Sequence, residues 1–364
     1  MHLHFRAIDD VSEPGTKWLE MVKEFWPSYQ TWLNTQEQYT PPALAEAQYA
    51  LNTFMPEIYP IYARLCKLLN ADVALATFLT GFKLPAYING CSQAVYQKNG
   101  ITQIIRNNDY HPDLLEGVFL LSNFNGNKVM GMSDCLFGLL DGVNDKGLSV
   151  SLSFGGRKEV GYGFGIPFIL RYVLETCDTV KEAVAALKRV PSHMSYNVMA
   201  ADKAGKHQLI YVAPDKETVS SNLPYTTNHQ EKVEWKKHAR FNQTLERSQF
   251  LKHLLDNKEA GINELIYAFL EPPLFNMAYG SGFGTLYTAI YNPVDGMAQL
   301  LWKDDVMHQS FDNFKEMEKS IIYAQEEGVV DENTTATRNN TTEWKEVPPN
   351  DPAPQIYIPK LHFK

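Results

Sequence analysis

Gly90-Cys91-Ser92 sets a thiol directly behind a glycine, at the head of a segment, CSQAVYQ, that reads as a β-strand. Downstream, IIRNNDY puts Arg106 and Asp109 at the end of the next such run. If the two runs pair as a hairpin, thiol, guanidinium and carboxylate meet at one end of a sheet. A cation there favours the thiolate, the nucleophilic form of a group whose ordinary pKa is about 8.5. The carboxylate would orient an amine or hold the arginine. On these residues alone, an ordinary turn ion pair between Arg106 and Asp109 accounts for the pattern as well.

Other candidate chemistry is thinner. Cys66, Cys135 and Cys177 lack C-x-x-C spacing, which argues against a zinc ribbon or a dithiol motif, and they read as reduced, buried small hydrophobes. Gly161-Tyr162-Gly163-Phe164-Gly165 has neither the lysine of a phosphate loop nor dinucleotide spacing, and reads as a loop flanking a pocket. Gly131-Met132-Ser133-Asp134-Cys135 is not a serine-nucleophile elbow. His2 and His4 have no further spaced ligands. No cofactor and no metal are expected.

Elements of two textures must position the thiol. Over the first ninety residues, after the strand-like HFRAI, segments such as TKWLEMVKEFWPSYQTWL and MPEIYPIYARLCKLL carry apolar residues at helical spacing. From Ala94 the chain turns to short runs rich in Val, Ile, Leu and Phe, joined by turns such as 143–147 and 202–205, which predict antiparallel hairpins. Helices are expected over 166–176 and 179–189, the second with a Thr179/Glu182 capping box, and over 232–255 and 262–269. TLYTAIYNP and AQLLW return to strand. The pattern is α+β, with helices covering sheet faces. From Glu326 the chain is polar and proline-rich and reads as an arm, ending in the apolar stretch IYIPKLHF.

Composition fits a packed globular chain. Of 364 residues 44% are hydrophobic and 21% charged, and the net charge of -9 disfavours nucleic acid or an anionic membrane as partner. The start, MHLHFRAIDD, lacks the pattern of a secretory signal, and no apolar run of about eighteen residues exists, so a cytoplasmic protein without a membrane span is expected. The sequons at Asn242, Asn333, Asn339 and Asn340 then carry little weight.

Five stretches resemble, in order, the motif series of the cysteine N-terminal nucleophile hydrolases. They are Gly90-Cys91-Ser92, the run from Arg106 to Tyr110, the run from Asp141 to Leu148, Thr227-Asn228-His229, and Arg240-Phe241. That group contains choloylglycine hydrolases, acid ceramidase-like amidases and acyl-coenzyme A:6-aminopenicillanic acid acyltransferases. The resemblance runs from about Phe5 to Trp302. It implies a four-layer αββα sandwich of two antiparallel sheets with a mostly helical N-terminal segment. It leaves the tail uncovered; together with the arm 326–364 read from composition, it divides the chain into a propeptide-like segment 1–90 and a catalytic domain 91–325.

The resemblance further implies autocatalytic cleavage between Gly90 and Cys91, which gives Cys91 a free α-amine, and a small amide or acyl donor as substrate. Cys91 would be the nucleophile and its amine the base. Arg106 and Asp109 would orient them, Asn228 would donate to the oxyanion, and Arg240 would hold the cluster. One position departs: Leu152-Ser153-Phe154 stands where choloylglycine hydrolases have an asparagine, which weakens the case for bile-salt substrates. Asn144 reads as turn chemistry. Tyr110, Phe154, Tyr162, Phe164 and Phe168 either border the cleft or belong to the core. An uncleaved or silent relative that binds a small molecule is the alternative, and a homo-oligomer is compatible with the sequence.

Overall fold

The computed structural model describes residues 1–12, 15–34, 40–86, 90–281 and 283–323. The first stretch runs as strand β1 (His2–Asp10) and helices α1 (Thr16–Asn34), α2 (Pro41–Phe54), α3 (Tyr59–Leu69) and α4 (Val73–Phe78). Strands β2 (Gly90–Lys98), β3 (Ile101–Tyr110), β4 (Val118–Ser122), β5 (Val129–Asp134), β6 (Gly138–Asn144) and β7 (Leu148–Phe154) follow. Helices α5 (Ile166–Thr176) and α6 (Val180–Arg189) precede β8 (Tyr196–Asp202), β9 (His207–Val212), β10 (Val219–Ser221) and β11 (Tyr225–Thr226). Three further helices, α7 (Lys236–Phe241), α8 (Thr244–Asp256) and α9 (Ile262–Phe269), lead to β12 (Gly284–Asn292), β13 (Met297–Leu301), β14 (Val306–Ser310) and β15 (Met317–Ile322).

The strands form two sheets, giving a mixed α+β fold. Nine pair in the order β10-β9-β8-β7-β6-β5-β4-β1-β15 and six in the order β11-β2-β3-β12-β13-β14. Alternation along each strand decides what lies between them. Val95 and Ile104 of the small sheet meet Met199, Ala201 and Leu209 of the large one. Ala94, Tyr96 and Ile105 face the other way, under Leu251 of α8 and Leu265 and Phe269 of α9. On the far side α5 lies on β6 and β7, and α6 on β8 and β9. A Cβ on Gly142 would come within 3.0 Å of Leu174, so the bare backbone lets α5 sit close. The layers are therefore helix, sheet, sheet, helix.

One pairing departs from two purely antiparallel sheets. β1 runs antiparallel to β15 but parallel to β4. Parallel neighbours need a long crossover, and α1 to α4 with the β2–β3 hairpin supply it. Phe5 and Ala7 are thereby buried, and Trp18, Met21, Val22, Phe25, Tyr29 and Trp32 form the buried stripe of α1. Residues 2–10 of the helical N-terminal segment are thus built into the large sheet.

Local signals act as the sequence suggests at several points. α6 carries the Thr179/Glu182 capping box. The Lys98–Ile101 turn places Asn99 and Gly100 at φ 54° and 78°, the left-handed pair that a two-residue hairpin needs. Asn144 Oδ1 accepts the N–H groups of Lys146 and Leu148, and its amide donates to the carbonyls of Leu174 and Cys177, which is turn chemistry tied to the end of α5. The helix expected over 232–255 is broken in two at Gln243, whose φ is 50°. No described helix is long and apolar enough to cross a membrane. The expected arm 326–364 lies outside the described residues.

Candidate active site

Strands β2 and β3 pair with Cys91 opposite Asn108 and Gly90 opposite Asp109. Alternation puts Cys91, Gln93, Arg106 and Asn108 on the face that looks into the large sheet. Arg106 Nη2 donates to Cys91 Sγ at 3.1 Å and to Asn108 Oδ1 at 2.9 Å. Its Nε donates to the Leu152 carbonyl of β7 at 2.8 Å, and its Nη1 pairs with the Asp141 carboxylate of β6. Asp141 in turn accepts from the hydroxyls of Tyr287, at 2.9 Å, and Tyr291 of β12. One arginine thus spans the two sheets, tied at one end to a fixed carboxylate and at the other to the thiol.

A second cluster grips the backbone of Cys91. Asn228 Oδ1 accepts the Cys91 N–H at 3.1 Å and Arg247 Nη2 at 2.7 Å. Arg247 Nη1 donates to the Cys91 carbonyl at 3.1 Å, to Ser92 Oγ at 2.9 Å and to Asp109 at 3.2 Å. Thr285 Oγ1 donates to the other oxygen of Asp109 at 2.7 Å. Cys91, Arg106, Asn108 and Asp109 are 0% exposed, and Gly90 is covered by the ring of Phe283. The structure describes a cleft of 220 Å³ between β2, the C-terminal end of α8 and the start of α9, and another of 480 Å³ beside β1 and α1; neither is lined by Cys91.

Burial dominates the electrostatics. It pushes the Cys91 thiol up to about 11, against the pull of the Arg106 guanidinium, while the nearby Asp109 adds to the rise. Burial likewise raises Asp109, with Arg247, Thr285 and Arg106 pulling it back, and lowers Arg247. For Arg106 burial works against the charge, but Cys91, Tyr287 and Asp141 outweigh it and the group is raised. Cys66 and Cys177 are also pushed up to about 11 by burial. Basicity therefore does not set Cys91 apart among the thiols; the arginine at 3.1 Å does.

The family model of acyl-coenzyme A:6-aminopenicillanic acid acyl-transferase matches residues 95–306, more than half of the chain. The chain belongs to this family. Among curated proteins no match is found. Among solved structures, a mutant of the conjugated bile acid hydrolase from Clostridium perfringens is 13% identical, with a TM-score of 0.47, over 66% of this chain and 100% of that one. Penicillin V acylase from Agrobacterium tumefaciens is 13% identical, with a TM-score of 0.42, over 61% of this chain and 86% of that one.

The family match spans Arg106, Asp109, Asn228 and Arg240 and begins four residues beyond Cys91. The fold brings Cys91, Arg106, Asp109 and Asn228 together. Arg240 is not brought in: it lies exposed on α7, and Arg247, two turns further on, contacts Cys91. The break at Gln243 is the cause. It lets buried Thr244 bind the Asn228 N–H at 2.7 Å and turns the start of α8 toward the thiol. Nothing in the apolar spacing of 232–255 marks that break.

Asp141, Tyr287, Asn108 and Arg247 were not singled out from sequence as site residues. Asp141 stood within a recognised motif, yet its partners come from another sheet. In Leu152-Ser153-Phe154 the carbonyls matter: Leu152 takes Arg106, and Phe154 takes Asn228 Nδ2 at 3.3 Å. Of the five aromatic residues set between cleft and core, Tyr110, Phe154, Phe164 and Phe168 belong to the main core, while Tyr162 is exposed.

Proposed function

We propose that this chain is a self-processing N-terminal-cysteine enzyme that cleaves linear amide C–N bonds and passes the acyl group, through a Cys91 thioester, to water or to an acceptor amine. The carrying observation is the pair of grips on one residue, with Arg106 on the Cys91 thiol and Asn228 and Arg247 on its backbone. In the uncleaved chain Cys91 Sγ attacks the Gly90 carbonyl carbon. The C–N bond to Cys91 breaks, its nitrogen takes a proton, and a Gly90 thioester forms, which water hydrolyses. The freed α-amine, with an ordinary pKa of about 7.7 to 8.0, then serves as base for the same thiol and as proton donor to the leaving amine of each substrate.

In this reading Arg106 stabilises the thiolate, and Asp109 and Asn228 hold the new amine. Asn108 adds a donor. Its Oδ1 is fixed by Arg106, while its Nδ2, beside Cys91, is buried without a hydrogen-bond partner among the described residues. An orphaned buried donor costs about 1–3 kcal/mol, and a developing oxyanion would satisfy it. Arg247 takes the role that the resemblance gave to Arg240. Accordingly Arg247→Ala is expected to lower turnover at least about a hundredfold, as loss of a charge-bearing positioning contact does, and Arg240→Ala less than about twofold, since exposed substitutions away from a site act weakly. Steady-state rates of the two purified variants decide between them, and the reverse order would overturn the assignment.

The reaction itself is tested with labelled linear amides, with and without added acceptor amines. Release of free acid alone makes the chain a hydrolase, and acyl transfer to the amine makes it a transferase; no turnover of any amide by cleaved protein rejects the proposal. The position of β1 predicts a two-chain product. With Phe5 and Ala7 buried between β4 and β15 and the α1 stripe in the core, residues 1–90 should stay bound after cleavage. Both fragments are expected in one peak by native size exclusion and to part only in denaturant.

A further inference from the structure

The self-cleavage step places one acyl group on Cys91 whose surroundings are visible: the peptide ending in Gly90. We infer that Phe283 restricts the acyl group of substrates to those with a CH2 next to the carbonyl and rejects acyl groups that carry an L-configured side chain there. The inference rests on the proposed thioester chemistry, in which the Gly90 thioester and a substrate thioester are the same bond to the same sulfur. The α-carbon of Gly90 then stands for the α-carbon of the acyl group.

The geometry at that carbon is tight. A Cβ on Gly90 would lie 2.1 Å from Phe283 Cζ and 2.9 Å from its Cε1, far inside contact distance. Gly90 is not among the residues with positive φ, so space rather than backbone strain requires glycine. Phe283 has little room to yield: it is 8% exposed, its N–H is bound to the Ala278 carbonyl at 3.2 Å, and the ring of Phe241 packs against it with centroids 5.3 Å apart. The next residue, Gly284, is equally close to Tyr279, where a Cβ would lie 2.3 Å from the ring. An aromatic wall therefore stands on the L side of the α-carbon. Amides of L-amino acids, whose α-carbon bears a side chain, meet that wall, and amides with a CH2 at that carbon do not.

A suppressor series tests this without knowing the natural substrate. Cleavage at Gly90-Cys91 is followed by denaturing mass measurement in wild type, Gly90→Ala, Phe283→Ala and the double variant, each first checked for a cooperative thermal transition. Gly90→Ala should slow cleavage about a hundredfold, the scale of a misplaced reacting carbon, and adding Phe283→Ala should restore it to within about tenfold of wild type. On cleaved protein, the p-nitroanilides of hexanoate and of N-acetylglycine should outpace that of N-acetyl-L-alanine, and Phe283→Ala should shrink the gap at least about tenfold. Cleavage of Gly90→Ala at the wild-type rate, failure of the double variant where Phe283→Ala alone cleaves, or an unchanged gap would each overturn the inference. A wild type that neither cleaves itself nor turns over any amide would instead sink the proposed function.

Discussion

Cys91→Ala is expected to give a single intact mass of the whole chain, beside a wild type that gives two masses joining at Gly90 and Cys91, and to show no amide turnover. Removing the nucleophile of such a cluster typically costs on the order of a millionfold in rate. Cys91→Ser should cleave slowly and turn over poorly, because an alcohol at neutral pH is the weaker nucleophile. Both follow from the arginine at 3.1 Å from Cys91 Sγ, since Cys66 and Cys177 are equally raised in pKa without any such partner in the proposed chemistry. A Cys91→Ala chain that still cleaved, or a wild type that remained whole and yet hydrolysed amides, would remove Cys91 from its role.

Arg106→Met, made in the Cys91→Ala chain so that processing does not interfere, is expected to lose about 3–5 kcal/mol of stability in a denaturant titration. The loss comes from Asp141, which is 0% exposed and, among the described residues, would keep only the Tyr287 and Tyr291 hydroxyls. Adding Asp141→Asn should recover much of it, because the stranded charge is then gone; a pair in direct contact is where such non-additivity is expected. With Cys91 present, Arg106→Met should also abolish cleavage, the thiol having lost the guanidinium that does most to pull its pKa down while burial continues to push it up. Additive losses in the double variant would mean that Arg106 and Asp141 are held independently of each other.

The hairpin that joins the thiol to Arg106 and Asp109 could be read from sequence because two alternating runs meet at a tight turn, and such pairing is local. Layering was legible for the same reason: apolar residues recur at a period of two in strands and near four in α5, α6 and α9. Three features were not. β1 looked like a short strand beside helices, and only pairing with β4 and β15 across the whole chain sets it in the large sheet. Arg247 was hidden by a helix break at Gln243 that goes together with Thr244 docking on Asn228, a tertiary contact. Asp141 read as part of a turn motif, although the side chains that use it come from β3 and β12. In each case the deciding contact joins residues far apart in the chain, and no local spacing carries it.

The edge where β1 meets β15 has one more consequence. Met1 and Tyr323 bind each other in both directions, the Tyr323 N–H to the Met1 carbonyl at 2.9 Å and the Met1 amine to the Tyr323 carbonyl at 3.2 Å. The described chain is therefore nearly a closed ring. A circular permutant that begins at Cys91, runs to Tyr323 and returns through a short linker to Met1 would end at Gly90 and trace the same two sheets. Such a chain would carry its α-amine free once the initiator methionine is removed, with no internal bond to cut, and would let catalysis be measured apart from maturation.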